Sequence, residues 1–272
     1  MQKIKFFRYL RLLILSLFVS TFLITCNNVV LTNADNSKIT SADFKCPVVK
    51  KLNDEVPQNE PSFLFMGDSI MEYVGNAIES KLKTSYNIKE SKIDFKISSG
   101  LNRRDFYDWY RRTPKLIECY QPDIIVIMFG GNDYQNIKDD DGKSVSIFKP
   151  EWKEVYRKRV EKYAQLISVS PVKKVYWIGQ PISSKSEYNK SFPILNAIYE
   201  DVSKEYPQIK FINTWETFTI NGKYSLIMSD RSGNKGKVRT KDALHITAHG
   251  SNIIADLVID QMLEDQIIEV QP

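Results

Sequence analysis

Histidine is almost missing from this sequence, at two residues in 272, and cysteine is scarce, at three. So few imidazoles and thiols exclude a disulfide-stapled miniprotein and leave no Cys/His cluster for a structural metal. Eleven glycines and eleven prolines are too few for a collagen repeat or a low-complexity chain. An excess of one charge is also lacking. Four of the 38 basic residues, Lys3, Lys5, Arg8 and Arg11, sit in the first 25 positions, and the other 34 face 33 acids. A near-neutral body gives little long-range pull on polyphosphate, so nucleic acid is not an expected partner. What is present is a 42% hydrophobic, 12% aromatic composition, enough to bury a sizeable core in one α/β domain with appendages.

The basic start leads into an apolar run from Leu12 to Ile24 and then into Thr25-Cys26-Asn27, the layout of a secretory signal over residues 1–25. The run is short of the roughly 20 apolar residues that cross a bilayer, although its extension to Leu31 allows an uncleaved anchor. Leu23-Ile24-Thr25-Cys26 resembles a bacterial lipobox, with Thr25 where Gly, Ala or Ser is usual. That resemblance implies lipidation at Cys26 and a membrane tether. The chain is therefore expected to be exported and held at a membrane, periplasmic or at the cell surface. Residues 26–61 are polar and irregular and read as a tether, with the folded domain over 62–272. An oxidising compartment would allow Cys46 and Cys119 to pair, but two separate thiols are the expectation, because sequence does not place their Cα atoms within bonding range.

From Ser62 onward, short apolar runs alternate with segments of helical period, the rhythm of stacked βαβ units. Strands are predicted at Phe63 to Met66, Ile93 to Ile97, Ile124 to Phe129, Val175 to Ile178 and Ile209 to Ile212. Helices are predicted at about 71–84, 103–119, 151–168 and 191–205, with a last one from Thr247 to Leu263. Asn221-Gly222 marks a small hairpin, and Gly233 and Gly236 mark a loop. The fold class that follows is three-layer α/β with a doubly wound, five-stranded parallel sheet, its reactive groups outside the carboxyl ends of the strands.

Gly67-Asp68-Ser69-Ile70 follows the first strand and opens a helix, whose N-terminus offers free N–H groups and partial positive charge. A serine there is a nucleophile or only a helix cap. Gly100 ends the second strand, where a missing Cβ lets a backbone amide approach a ligand. Gly130-Gly131-Asn132-Asp133 follows the third strand and reads equally as a ligand-binding loop or an ordinary turn. In Asp242-Ala243-Leu244-His245 the spacing of three can put carboxylate and imidazole on one side of a turn, the arrangement of a general base for a serine hydroxyl.

These four blocks, Gly67-Asp68-Ser69-Ile70, Gly100, Gly131-Asn132-Asp133 and Asp242-x-x-His245, resemble in order the SGNH or GDSL-type hydrolase family, over roughly residues 62–264. Trp177-x-Gly179-x-Pro181 and Arg239-x-x-Asp242 bring it nearest to an exported bacterial branch. The resemblance implies a flavodoxin-like sheet and a serine esterase or acyltransferase that needs no cofactor. It makes Ser69 the nucleophile, His245 the acid/base and Asp242 its orienting partner. Ser69 N–H, Gly100 N–H and the Asn132 amide would form an oxyanion hole. Arg103, Asp133 and Tyr134 are candidate substrate contacts, and His249 is expected at the surface. The implied substrate is an ester, acetyl in first place, on envelope carbohydrate, with Trp109, Trp152, Trp177 and Tyr134 as candidate sugar-stacking rings. The competing class is a surface lipoprotein that binds glycan without turnover. The sequence leaves oligomeric state open.

Three further motifs carry no expected site. His245 and His249 have the spacing of metal ligands, but Ile246 stands where a zinc protease has Glu, and no metal is expected. Asp139-Asp140-Asp141-Gly142 misses the register of a calcium loop and reads as a solvated acidic turn. Gly233-Asn234-Lys235-Gly236-Lys237 misses the spacing of a phosphate loop.

Overall fold

The computed structural model describes residues 60–269. The expected signal, Cys26, Cys46 and most of the tether lie outside them. Five strands, β1 (Phe63–Gly67), β2 (Ser91–Phe95), β3 (Ile124–Met128), β6 (Lys174–Ile178) and β7 (Ile209–Ile212), form a sheet of order β2-β1-β3-β6-β7. All four pairings are parallel, and β1 ends with Gly67 level with Phe95 and Met128. Of the helices, α1 (Ser69–Ser85) and α5 (Ala248–Glu264) pack against each other, and α3 (Glu151–Ser168) packs against both α2 (Trp109–Tyr120) and α4 (Ser186–Ser203). This is the expected α/β architecture.

Strand alternation divides the core. Phe63, Phe65, Val126, Met128 and Ile178 pack with Val74 and Ile78 of α1 and Ile254 and Val258 of α5. A run of touching rings, Trp109, Phe129, Tyr163, Trp177 and Tyr199, joins α2, α3 and α4 to the sheet, with centroids 4.8–6.1 Å apart. Trp109, Trp152 and Trp177 are thus fully buried core residues. This corrects their reading as sugar-stacking rings: their area is spent on joining helices to the sheet.

Element ends differ where polar chemistry overrides apolar rhythm. The second strand stops at Phe95, because the chain turns at Ser98, φ +61, and Ile97 is left exposed. The predicted 103–119 helix starts only at Trp109, where the Asp108 side chain caps Tyr110 N–H at 3.0 Å. Helix α4 starts five residues early, through a polar first turn.

The third-strand loop and α3 are separated by a hairpin of β4 (Ile137–Lys138) and β5 (Ser144–Val145), with the acidic turn 139–142 at its tip. After β7 come β8 (Thr219–Ile220) and β9 (Lys223–Tyr224), joined at Asn221 and Gly222 with φ of 51° and 71°, the two left-handed residues of a type I′ turn. The predicted 233–236 loop is instead part of a second hairpin, β10 (Ile227–Ser229) with β11 (Lys235–Lys237). Buried Cys119 is disulfide-bonded, which corrects the expectation of separate thiols. No second cysteine lies among the described residues, and bonding range is set by tertiary placement that spacing does not reveal. Among the described residues no helix is long and apolar enough to cross a membrane.

Candidate active site

The sheet's carboxyl edge gathers the four sequence blocks. At Gly67 a Cβ would lie 2.3 Å from the Met128 carbonyl oxygen and 2.7 Å from Met71 Cβ, so only glycine lets β1, β3 and α1 converge there. Asp68 caps α1 and is fully buried. Its two oxygens accept from Ile70 N–H and Gly131 N–H, each at 2.9 Å, tying the first block to the third. Burial pushes its pKa up to about 7, and the two amides offset only part of that. Ser69 follows as the first helical residue, its N–H without an intrahelical partner.

Ser69 Oγ lies 2.8 Å from His245 Nε2, and His245 Nδ1 lies 2.7 Å from Asp242 Oδ2. The turn that presents this pair has Ala243 in the left-handed region, φ +63. Polar contacts hold it there. Asp242 Oδ1 accepts from Leu244 N–H (2.8 Å), His245 N–H (3.0 Å) and Thr240 Oγ1 (2.7 Å). Partial burial pushes the Asp242 pKa up, but the bonds from Thr240 and His245 outweigh it and hold the carboxyl well below the usual range.

The carbonyls of that turn are anchored from outside. Ser183 Oγ donates to Ala243 O at 2.7 Å, and Thr240 N–H donates to His245 O at 3.0 Å. The guanidinium of Arg239, 1% exposed, donates to Leu244 O, Pro181 O and Ile182 O and has no carboxylate within ion-pair distance among the described residues. Burial lowers its pKa to about 10, which leaves it charged at neutral pH. Within the 239–245 motif it fastens the turn to the chain leaving β6.

Gly100 and Asn132 lie on two loops of this edge that are joined by the bond from the Asn132 side chain to Ser99 O. A Cβ at Gly100 would fall 2.1 Å from Asp133 Oδ1, so the position is closed to any side chain. Asn132 Nδ2 donates to Ser99 O at 3.1 Å, which leaves its second amide hydrogen for another acceptor. Asp133 is buried and accepts from Asn102 N–H (2.8 Å) and Tyr156 OH (2.7 Å), the latter bonded to Tyr199 OH at 2.7 Å. Burial raises the Asp133 pKa against those donors. Its reading as a substrate contact is therefore corrected: it braces the Gly100 loop from behind.

Tyr134 remains half-exposed beside Asn132, edge-on to Trp152 at 5.1 Å. Arg103 is exposed, and its guanidinium bonds to Asp105, at 2.8 and 2.9 Å, and not to the Ser69 cluster. His249 is half-buried, not superficial, because Nε2 donates to Met228 O at 3.0 Å.

Sequence reasoning missed Asn102. Its backbone is held by Asp133, and its Nδ2 donates to Asp133 O at 2.9 Å and Gln135 O at 3.0 Å. The only signal was a polar residue directly after Gly100-Leu101. Arg159 donates to Asn102 O and Lys138 O from α3 and had no signal at all. No group of three or more metal-ligating side chains occurs among the described residues.

The sequence model of the family described as "Protein of unknown function (DUF459)" matches residues 62–261, the whole span of the sheet and the site. The chain belongs to the DUF459 family. No curated protein sequence matches it. Among solved structures this DUF459 chain is similar to a lipase/acylhydrolase from Enterococcus faecalis, at 14% identity and a TM-score of 0.53, over 78% of this chain and 99% of that one. A protein from Slackia heliotrinireducens described as an SGNH hydrolase gives 11% identity and a TM-score of 0.51, covering 75% and 100%. A GDSL-like lipase from Bacteroides ovatus gives 10% and 0.51, covering 78% of this chain and 56% of that one. At such identities the likeness is one of fold: the DUF459 domain has the SGNH hydrolase fold.

Proposed function

We propose that this DUF459 protein is an exported serine esterase, an O-acyl hydrolase or acyltransferase acting on ester groups of envelope carbohydrate, acetyl in first place. The observation that carries this reading is the unbroken contact from Ser69 Oγ through His245 to Asp242, at 2.8 and 2.7 Å. An ionised carboxylate only accepts hydrogen bonds, so the ring proton stands on Nδ1 and Nε2 turns its lone pair to the Ser69 hydroxyl. In the reaction Ser69 Oγ bonds to the acyl carbon while its proton passes to Nε2. The carbonyl electron pair moves onto oxygen. When it returns, the ester C–O bond breaks and the departing oxygen takes the proton from Nε2. Water, or an acceptor hydroxyl, then repeats the steps on the acyl-enzyme.

The developing oxyanion would be held by Ser69 N–H at the positive end of α1, by Gly100 N–H and by the Asn132 amide. Donors fixed in advance stabilise that charge without reorganising, and one of them is typically worth about 100- to 1000-fold in turnover. Around these groups Asp68, Asp133 and Arg239 are committed to internal bonds, which keeps the site rigid.

Export and a membrane tether are supported by the basic N-terminus, the apolar run and Cys26. The disulfide at Cys119 supports an oxidising compartment. Half-exposed Tyr134 beside Asn132 is the aromatic ring that supports a sugar substrate. The test is acetate release by the purified protein from p-nitrophenyl acetate and from O-acetylated glycans, with and without an acceptor sugar. Release that disappears in Ser69→Ala is the expected result. Release at equal rates by both proteins would contradict the proposal.

A further inference from the structure

The charge of the described domain is not spread evenly. Between Thr219 and Lys241 there are six bases, Lys223, Arg231, Lys235, Lys237, Arg239 and Lys241, and one acid, Asp230; the rest of residues 60–269 holds 24 bases against 28 acids. Arg239 is buried on carbonyls, and Arg231 is ion-paired to Asp260. None of the four lysines has a carboxylate within ion-pair distance among the described residues. The segment is the pair of hairpins that leads into the Asp242–His245 turn.

The β10–β11 hairpin has two distinct faces. Met228 and Gly236 are paired across the ladder and turn inward, where a Cβ on Gly236 would lie 2.6 Å from the His249 ring. Ile227, Ser229, Lys235 and Lys237 alternate with them and face out, all exposed. Ile227, 44% exposed, is directly opposite Lys237, and Ile220, 54% exposed, is opposite Lys223 in the neighbouring hairpin. From β11 the chain runs antiparallel beside the site: Thr247 N–H donates to Val238 O at 3.1 Å, and Arg239 bridges to Ile246. Lys235 and Lys237 are therefore about 7 Å apart at the strand rise; beyond them Val238 and Arg239 turn inward, and the next exposed cation is Lys241, next to Asp242 in the turn.

We infer that this outward face is a binding surface for a polyanionic ester-bearing polymer, one that carries carboxylates at regular intervals along the chain whose esters reach Ser69. The inference rests on the proposed esterase reading and names its substrate class. Spaced cations match repeated anions, each exposed isoleucine beside a lysine offers apolar contact to the polymer's C–H surface, and Lys241 stands beside the turn that carries His245. Three exposed apolar side chains, Leu226 included, are few for an interfacial membrane contact, which needs a larger buried apolar area. Cations along a substrate path also raise encounter rates in a salt-dependent way.

The experiment compares acetate release from O-acetylated polygalacturonate, anionic, and O-acetylated glucomannan, neutral, by the wild type, Lys235→Glu/Lys237→Glu and Lys235→Arg/Lys237→Arg. The wild type is expected to prefer the anionic polymer and to lose the preference in about 0.5 M NaCl. The preference should fall about tenfold or more in the glutamate variant and survive in the arginine variant. A preference unchanged within about twofold overturns the inference. It is also overturned if the glutamate variant keeps its polymer preference but loses sedimentation with phosphatidylglycerol vesicles, since the face would then serve a membrane. If no ester is cleaved by the wild type, the catalytic reading is what fails. The surface is then judged by co-sedimentation of Ser69→Ala protein with de-esterified polygalacturonate: binding lost on the same glutamate changes upholds it, and no binding overturns it.

Discussion

Replacing Asp68 by asparagine should flatten the dependence of stability on pH between about pH 4 and pH 7. The carboxyl is fully buried at the first turn of α1, and its pKa rises from 3.8 to about 7. Between those values the unfolded chain has released this proton while the folded one still holds it. The unfolded state thus binds fewer protons, and stability falls as pH rises through the window. Each pKa unit is worth about 1.4 kcal/mol, so Asp68 alone lowers stability by about 4 kcal/mol between the two ends.

Asp133, whose pKa is also raised, acts with the same sign in both proteins, and because its charge adds to the rise at Asp68, the difference between them reports Asp68 together with that coupling. Asp242 acts with the opposite sign and at lower pH: its pKa is depressed, and its contribution, present above the unfolded value, is lost as pH falls below about 4. The carboxamide of the Asp68→Asn variant has one acceptor oxygen for the two backbone amides, which adds a pH-independent cost of about 1–3 kcal/mol. Urea denaturation of both proteins at intervals from about pH 4.5 to about pH 7.5 separates slope from offset. Parallel lines for the two would refute the reasoning.

Asn132→Ala should lower kcat about 100- to 1000-fold on a small ester with little change in KM, and steady-state kinetics showing an unchanged kcat would remove Asn132 from the oxyanion site. Asp242→Asn should keep the fold by circular dichroism and lower kcat steeply, by analogy with a loss of about 10,000-fold in another serine triad; full activity would contradict the Asp242–His245 contact. Arg239→Met removes three hydrogen bonds that hold the 240–245 turn, so kcat should fall with KM nearly constant at temperatures where the variant is folded. Arg239→Lys should recover only part of it, because an ammonium does not reproduce the planar fork.

The sheet strands were legible because β1 and β3 are short, fully buried apolar runs with helical period on either side, and Ile209–Ile212 lies where the pattern puts it, whereas β2, with the mixed sequence SKIDF, lies two residues ahead of its predicted place. The Ser69 cluster was legible for a different reason: its chemistry sits on strand ends and in one turn, where four residues carry the whole motif. What supports the cluster was not. Asn102, Asp133 and Tyr156 meet from positions 23 to 31 residues apart, and no local pattern encodes such a bond. Asp133 reads in sequence as a polar residue in a loop, yet the loop folds over it. The β10–β11 hairpin was hidden because Gly233 and Gly236 both looked like loop residues. Gly233 is one, with φ +85, whereas Gly236 is extended and is glycine because His249 fills the space of a side chain. Buried Arg239 defied its residue type, since nothing in the sequence shows that three carbonyls converge on it.

Reaction of the folded protein with a fluorophosphonate, followed by intact mass and peptide mapping, tests the central claim most directly. The account predicts one covalent adduct, on the Ser69 hydroxyl, absent from Ser69→Ala and strongly slowed in His245→Ala. A folded protein that takes up no label, or that carries it on another residue, would contradict it.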